Sequence, residues 1–220
     1  MAWSIRRIHS GPEQAEQWRT DSTEPSSGSG ELEIVPDERF QTMIGFGGAF
    51  TEAAAYTLSR MPTERRAEAI SSYFDPEAGL GYSIGRIPIH SCDFSLSNYT
   101  YIDEGDASLT SFSLEHEEQW LFPFIRDAEA ARGGSVALLA SPWSPPGWMK
   151  TNGEMNHGGS LLPEYRELWA RYLARYVREM KALGFDLWAL TVQNEPAAVQ
   201  TWDSCIYSAE EERDFVRDHL

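Results

Sequence analysis

Cysteine, basic charge, long apolar runs and a complete phosphate-binding glycine loop are all in short supply in this sequence. Only Cys92 and Cys205 occur among 220 residues, too few for a disulfide framework. No Cys/His spacing suits zinc, so both read as reduced thiols and no metal or cofactor is called for. Behind the charged start Met1–His9 there is no apolar stretch of the kind a secretory signal needs. No run approaches the length of a membrane span. The expectation is a soluble cytoplasmic protein, with export by another route left open. Lys and Arg number 18 against 34 Asp and Glu, a formal charge of -16. Such a field repels nucleic acid and anionic headgroups and suits a neutral substrate. Gly45-Phe46-Gly47-Gly48 stops short of G-x-G-x-x-G, and no acid closes the second strand where a ribose would be held, which argues against a dinucleotide fold.

What is present is a globular composition, 41% hydrophobic and 12% aromatic. Two regions are expected. Residues 1–39 form a polar N-terminal segment in which Thr20–Gly30 reads as a flexible linker. There Leu32 and Ile34 alternate as a short strand leading to Pro36, a candidate for a small flanking β layer. Residues 40–220 alternate strand-like and helix-like stretches, the pattern of an α/β chain with parallel strands.

Four β-α units can be read along that region. Met43–Phe50 is the first strand, with helices opening at Thr51 and near Thr63. Tyr82–Ile89 is the second, followed by a polar loop and one helix over about Ser113–Ala131, with Ser113 as its cap. Val136–Ala140, apolar throughout, reads as a strand covered on both faces. A helix from Pro163 to Leu183 closes at Gly184, and Leu187–Val192 is the fourth strand. Pro196 cannot continue a sheet ladder, so the strand should stop there and leave Glu195 at a rim. A last helix opens at Ser208 with acids in its first turn. Four units with unusual residues at the strand tips point to the first half of a (β/α)8 TIM barrel.

The tips carry His90–Ser95, Ser141–Lys150 and Asn194-Glu195. In a barrel they converge, so Asp93, Trp143, Trp148, Asn194 and Glu195 would line one pocket. An indole offers a flat apolar face to a sugar ring and an N–H to a hydroxyl. Asp93 offers acceptors, and Asn194 both donates and accepts. Glu195 would act as a general acid if partial burial and a second carboxylate kept it protonated. Taken singly, each has an ordinary structural reading: packing for a tryptophan, a turn or cap for a loop aspartate.

Gly45–Ala54, Arg86–Ser95, Leu139–Gly153 and Asn194-Glu195-Pro196 resemble, in order, successive blocks of glycoside hydrolase family 30, the glucosylceramidase (acid β-glucosidase) family. The resemblance implies a (β/α)8 barrel with a flanking β-sandwich and retaining cleavage of β-glycosides. It implies Glu195 as acid/base, Asn194 on the sugar 2-hydroxyl, Asp93 on other hydroxyls, and Trp143 lining the subsite. Glucosylceramide, a β-1,6-glucan or a β-xyloside are the candidate substrates; a sugar-binding fragment without catalysis is the reading from another class. The family's nucleophile is a second Glu on a later strand, and retaining chemistry needs two carboxyl groups roughly 5 Å apart. No residue here takes that role; Glu52, Glu154 and Asp203 are acids near the expected rims, and none of them is promoted to it. The expectation is an N-terminal half with two open sheet edges. Self-association, or pairing with a C-terminal half, would follow, and the chain alone should show no turnover.

Overall fold

The computed structural model describes residues 6–9, 19–22, 35 and 37–220. The chain divides into two compact units, Met1–Thr42 and Met43–Leu220. In the first, β1 (Arg6–His9) and β2 (Arg19–Ser22) form an antiparallel ladder with Arg6 opposite Ser22. Thr20–Ser22, expected in a linker, therefore lies in a strand. Polar composition argues against burial, but a ladder joins backbone groups and needs no apolar side chains. The short strand expected at Leu32 and Ile34 lies outside the described residues.

The second unit is a parallel sheet alternating with helices. Its strands are β3 (Gly47–Ala49), β4 (Ile84–Ile89), β5 (Ala137–Pro142) and β6 (Leu187–Leu190), paired in that order. The helices are α1 (Glu52–Ser59), α2 (Thr63–Phe74), α3 (Glu115–Gln119), α4 (Leu121–Arg132), α5 (Arg166–Ala182) and α6 (Ala209–Asp218). Local chemistry sets most of their ends. Thr51 Oγ1 accepts from the Ala54 N–H at 3.2 Å to start α1. Ser208 and Glu211 form a reciprocal capping box on α6. Gly184 follows α5 at φ +81°, the left-handed region that glycine enters without a Cβ penalty.

One expected helix is two. The stretch over Ser113–Ala131 breaks at Trp120 between α3 and α4. Pro123 accounts for it: without an N–H, and with a ring that clashes one turn back, it cannot sit inside a continuous helix but is tolerated in the first turn of α4. Ser113 Oγ accepts from Glu115 N at 3.2 Å, although Leu114 holds the cap position.

Strand residues alternate between two faces. Ile87, Ile89, Leu138 and Ala140 are fully buried, while Arg86 and Ser141 meet on the opposite side of β4 and β5. On the helix side Phe50 packs on Phe124 with ring centroids 4.7 Å apart and on Phe74 at 5.3 Å. That cluster requires Gly85: a Cβ there would lie 2.3 Å from Phe50 Cε2. Gly85→Ala is expected to destabilise the fold by about 1–3 kcal/mol through overpacking, read as a lower urea midpoint at unchanged slope.

Among the described residues β3 and β6 are each paired on one side, and Phe46 and Trp188 beside them are exposed. No described helix is long and apolar enough to cross a membrane.

Candidate active site

The ends of β4, β5 and β6 open into a cleft of about 430 Å³ whose walls include Arg86, Asp93, Phe94, Trp143, Asn194, Glu195, Gln200 and Trp202. Four of the five residues expected at the site are therefore brought together. The fifth, Trp148, is not among the lining residues. It stands in a short turn over Gly147–Met149 and meets Tyr165 edge-to-face at 5.0 Å, packed against the core.

Arg86 is the residue that sequence reasoning left without a role. Its Nη2 donates to Asn194 Oδ1 at 2.8 Å and its Nε to Ser141 Oγ at 3.1 Å. Its guanidinium lies 4.6 Å from the centroid of Trp143, a cation–π contact. One side chain thus orients both the carboxamide and the indole. The signal was available in the sequence, because an Arg inside an otherwise apolar strand must find partners for its five N–H donors. Arg86→Leu is expected to free the Asn194 amide to rotate and to remove the cover from Trp143, read as readier quenching of the tryptophan fluorescence by acrylamide.

The tip of β6 is held by backbone bonds. Thr191 N donates to Ala140 O at 2.9 Å and Asn194 N to Pro142 O at 2.8 Å, so the pairing with β5 persists past the regular strand. Gln193, buried, donates to Trp143 O at 2.6 Å and to Asn194 O at 2.9 Å. Glu195 then takes φ +46°, a left-handed conformation that costs a non-glycine residue about 1 kcal/mol or more. Ala198 N donates back to Glu195 O at 2.9 Å and Gln200 Nε2 reaches Glu195 Oε2 at 3.3 Å. The sequence reading called for partial burial of this carboxylate. Glu195 is instead exposed, with the Gln200 amide as the side-chain partner of its carboxylate.

Asp93 is also exposed on the cleft wall, which gives the site two carboxylates and one guanidinium. Its loop is anchored from outside the cleft: Ala53 N donates to Phe94 O at 2.9 Å and Leu96 N to the buried Glu52 carboxylate at 2.8 Å. Cys92 lines the cleft as well, but burial pushes its thiol up to about 11, so it is not a thiolate nucleophile at neutral pH. Of the other rim acids, Glu154 is exposed beside His157, and Asp203 is buried behind the wall. A flat indole, a fixed carboxamide and two carboxylates around a cleft of this size can grip a neutral ring of hydroxyls and deliver a proton to one edge of it.

The chain is 38% identical over 208 residues to Putative glucosylceramidase 4 of Caenorhabditis elegans, covering 90% of this chain and 40% of that protein. Among solved structures, SrfJ from Salmonella typhimurium superposes with a TM-score of 0.84 at 40% identity, over 98% of this chain and 49% of the other. An endo-β1,6-glucanase superposes at 0.79 with 34% identity, over 85% of this chain and 42% of the other. The chain thus spans about 40% of the length of the curated relative it matches. Residues 43–220 match the glycosyl hydrolase family 30 TIM-barrel domain, and the chain belongs to that family.

Proposed function

We propose that this cleft is the sugar-binding and proton-donating half of a retaining β-glycosidase site, with Glu195 as general acid/base. The observation that carries the reading is the joining of Glu195, Asn194, Trp143 and Asp93 around one cleft, with Arg86 bonded to Asn194 and stacked on Trp143. Asn194 would hold the 2-hydroxyl, Asp93 other hydroxyls, and Trp143 the apolar face of the ring. Glu195 would protonate the leaving oxygen and later activate water. Membership of family 30 and similarity to a protein named glucosylceramidase support a β-glucoside as substrate. No residue of this chain is assigned as nucleophile: among the described residues the only other carboxylate lining the cleft is Asp93, whose role would be hydroxyl binding.

Methyl β-D-glucoside should quench or shift the tryptophan fluorescence of the 220-residue chain, and Trp143→Ala should abolish the change. Glu195→Gln should bind about as well as the parent, because an acid/base group acts in the transition state more than in the ground state. Glucose release should be absent from both. Release that survives purification and disappears in Glu195→Gln would overturn the statement that this chain lacks a nucleophile. A β-1,6-glucan is the second reading, favoured by the exposed Phe94 and Trp202 on the cleft wall, which leave room for a further ring. Tighter binding of gentiobiose than of methyl β-D-glucoside would select it.

A further inference from the structure

Behind the cleft lies a polar knot, buried at Ser91, Lys150, Asp203 and Ser204 and exposed at Asn98, that none of this chemistry uses. Asp203, on the segment between β6 and α6, is 3% exposed. Its Oδ1 accepts from Ser91 Oγ at 2.7 Å and from Asn98 Nδ2 at 3.2 Å, both in the loop after β4. Its backbone pairs with Asn156 in the loop after β5, and Asn98 Nδ2 also reaches Asn156 Oδ1 at 2.6 Å. The next residue continues the knot: Ser204 N donates to Met155 O at 3.0 Å, and Ser204 O accepts from Lys150 Nζ at 2.6 Å. Lys150 is itself buried, and its second bond, 2.9 Å to Met155 O, stays within the loop after β5. Three loops that each contribute to the cleft are thus tied at one point. Asp93 is two residues from Ser91, Trp202 directly precedes Asp203, and Trp143 heads the segment leading to Lys150.

A buried acid of this kind is costly. Burial raises the Asp203 carboxyl above the usual carboxylate range, with the Ser91 hydrogen bond and, less strongly, Lys150 pulling the other way. An apolar side chain would pack the same space without that cost, so packing alone does not account for Asp203. Neither Asp203 nor Lys150 lines the cleft.

We propose that Asp203 is a positioning residue that sets the separation of the two cleft walls, the Asp93 wall and the Gln200–Trp202 wall, by bonding Ser91 and Asn98 through a single oxygen. The proposal rests on the reading of the cleft as a β-glucoside site, and its test has one arm that does not. Asp203→Ala, Asp203→Asn and Ser91→Ala are compared with the parent by fluorescence titration with methyl β-D-glucoside, fitted to the folded fraction, and by hydrogen exchange without ligand. Both side-chain bonds fall on Oδ1, so an Asn carbonyl retains them. Asp203→Asn should keep its affinity within about threefold, while Asp203→Ala should lose about tenfold. Ser91→Ala should lose part of that, and the Ser91→Ala/Asp203→Ala double variant should be no weaker than Asp203→Ala. In hydrogen exchange, Asp203→Ala should speed residues 91–98 and 200–204 together and leave β4, β5 and β6 unchanged.

If Asp203→Ala does not fold, Ser91→Ala and Asp203→Asn carry the comparison. Unchanged affinity and unchanged exchange at the two loops, with only a lower melting temperature, would reduce Asp203 to a structural role. Asp203→Asn as weak as Asp203→Ala would also overturn the Oδ1 mechanism. A parent chain that ignores the glucoside while Asp203→Ala still loosens both loops would remove the glycoside reading and leave the positioning role standing.

Discussion

Acidifying the chain from pH 7 to pH 4 is expected to cost about 3 kcal/mol of folding stability through His90 alone. His90 directly follows β4 at φ +55° and is fully buried; burial pushes its imidazole down from 6.5 to about 4. Its surroundings fix the neutral tautomer. Nε2 lies 2.6 Å from Ser144 O, which can only accept, so Nε2 carries the proton. Nδ1 then accepts from Tyr172 OH at 2.9 Å. Tyr172 OH in turn accepts from Tyr101 N at 2.9 Å, and Tyr101 OH accepts from His90 N at 2.8 Å and donates to Glu117 at 2.6 Å. A second proton on the ring would face the Tyr172 hydroxyl, already aimed at it, where neither side chain is exposed.

Between pH 6.5 and about 4 the unfolded chain therefore binds a proton that the folded chain refuses. Stability is complete above that window and is lost as the pH falls through it. Burial holds Glu117 above the ordinary carboxylate range, which works in the opposite sense: the folded state takes up its proton first as the pH drops. The His90 contribution is isolated by comparison with His90→Asn, which tolerates the left-handed backbone and does not titrate. The variant should be less stable at pH 7 but lose about 3 kcal/mol less on going to pH 4. Equal losses in the two proteins would show that His90 does not carry the effect.

The second large effect is an asymmetry within one pair. Glu52 and His116 meet at 2.8 Å, with the Glu52 side chain 3% exposed and the His116 side chain 32% exposed. The His116 ring is stacked on Tyr99 with centroids 3.6 Å apart. His116→Ala leaves a buried carboxylate with the Leu96 N–H as its remaining partner, and is expected to cost about 3 kcal/mol. Glu52→Gln keeps an acceptor for Leu96 and offers an amide to the His116 ring, so it should cost under about 1 kcal/mol. Urea unfolding of the two variants at pH 7 decides it. The reverse order would mean that the charge of Glu52, rather than its acceptor geometry, holds the Asp93 loop.

The elements legible in the sequence are those whose cause is local. Thr51 and Ser208 cap helices through their own side chains, and Gly184 stops one through its own φ. Pro123 was equally legible and decides the break between α3 and α4, yet a continuous helical pattern on either side of it reads as one helix. The ladder of β1 and β2 was not legible, because two strands with Ile8 as their one apolar residue leave no hydrophobic period.

The same division runs through the site. By itself the sequence determined which residues could do the chemistry: parallel strands put Asp93, Trp143 and Asn194-Glu195 beyond strand tips of one polarity, although β6 ends at Leu190, short of the stop that Pro196 suggested. Only the tertiary structure decided which of them share a cleft. Trp143 and Trp148 are five residues apart on one loop, yet the first is covered by Arg86 and the second packs on Tyr165. It also decided that Arg86 orients the site, that Glu195 is exposed, and that Asp203 ties the walls together from behind. The Arg86 and Asp203 contacts join residues 55 to 112 positions apart, at distances that the order of the sheet and the packing of its helices set and no local pattern encodes.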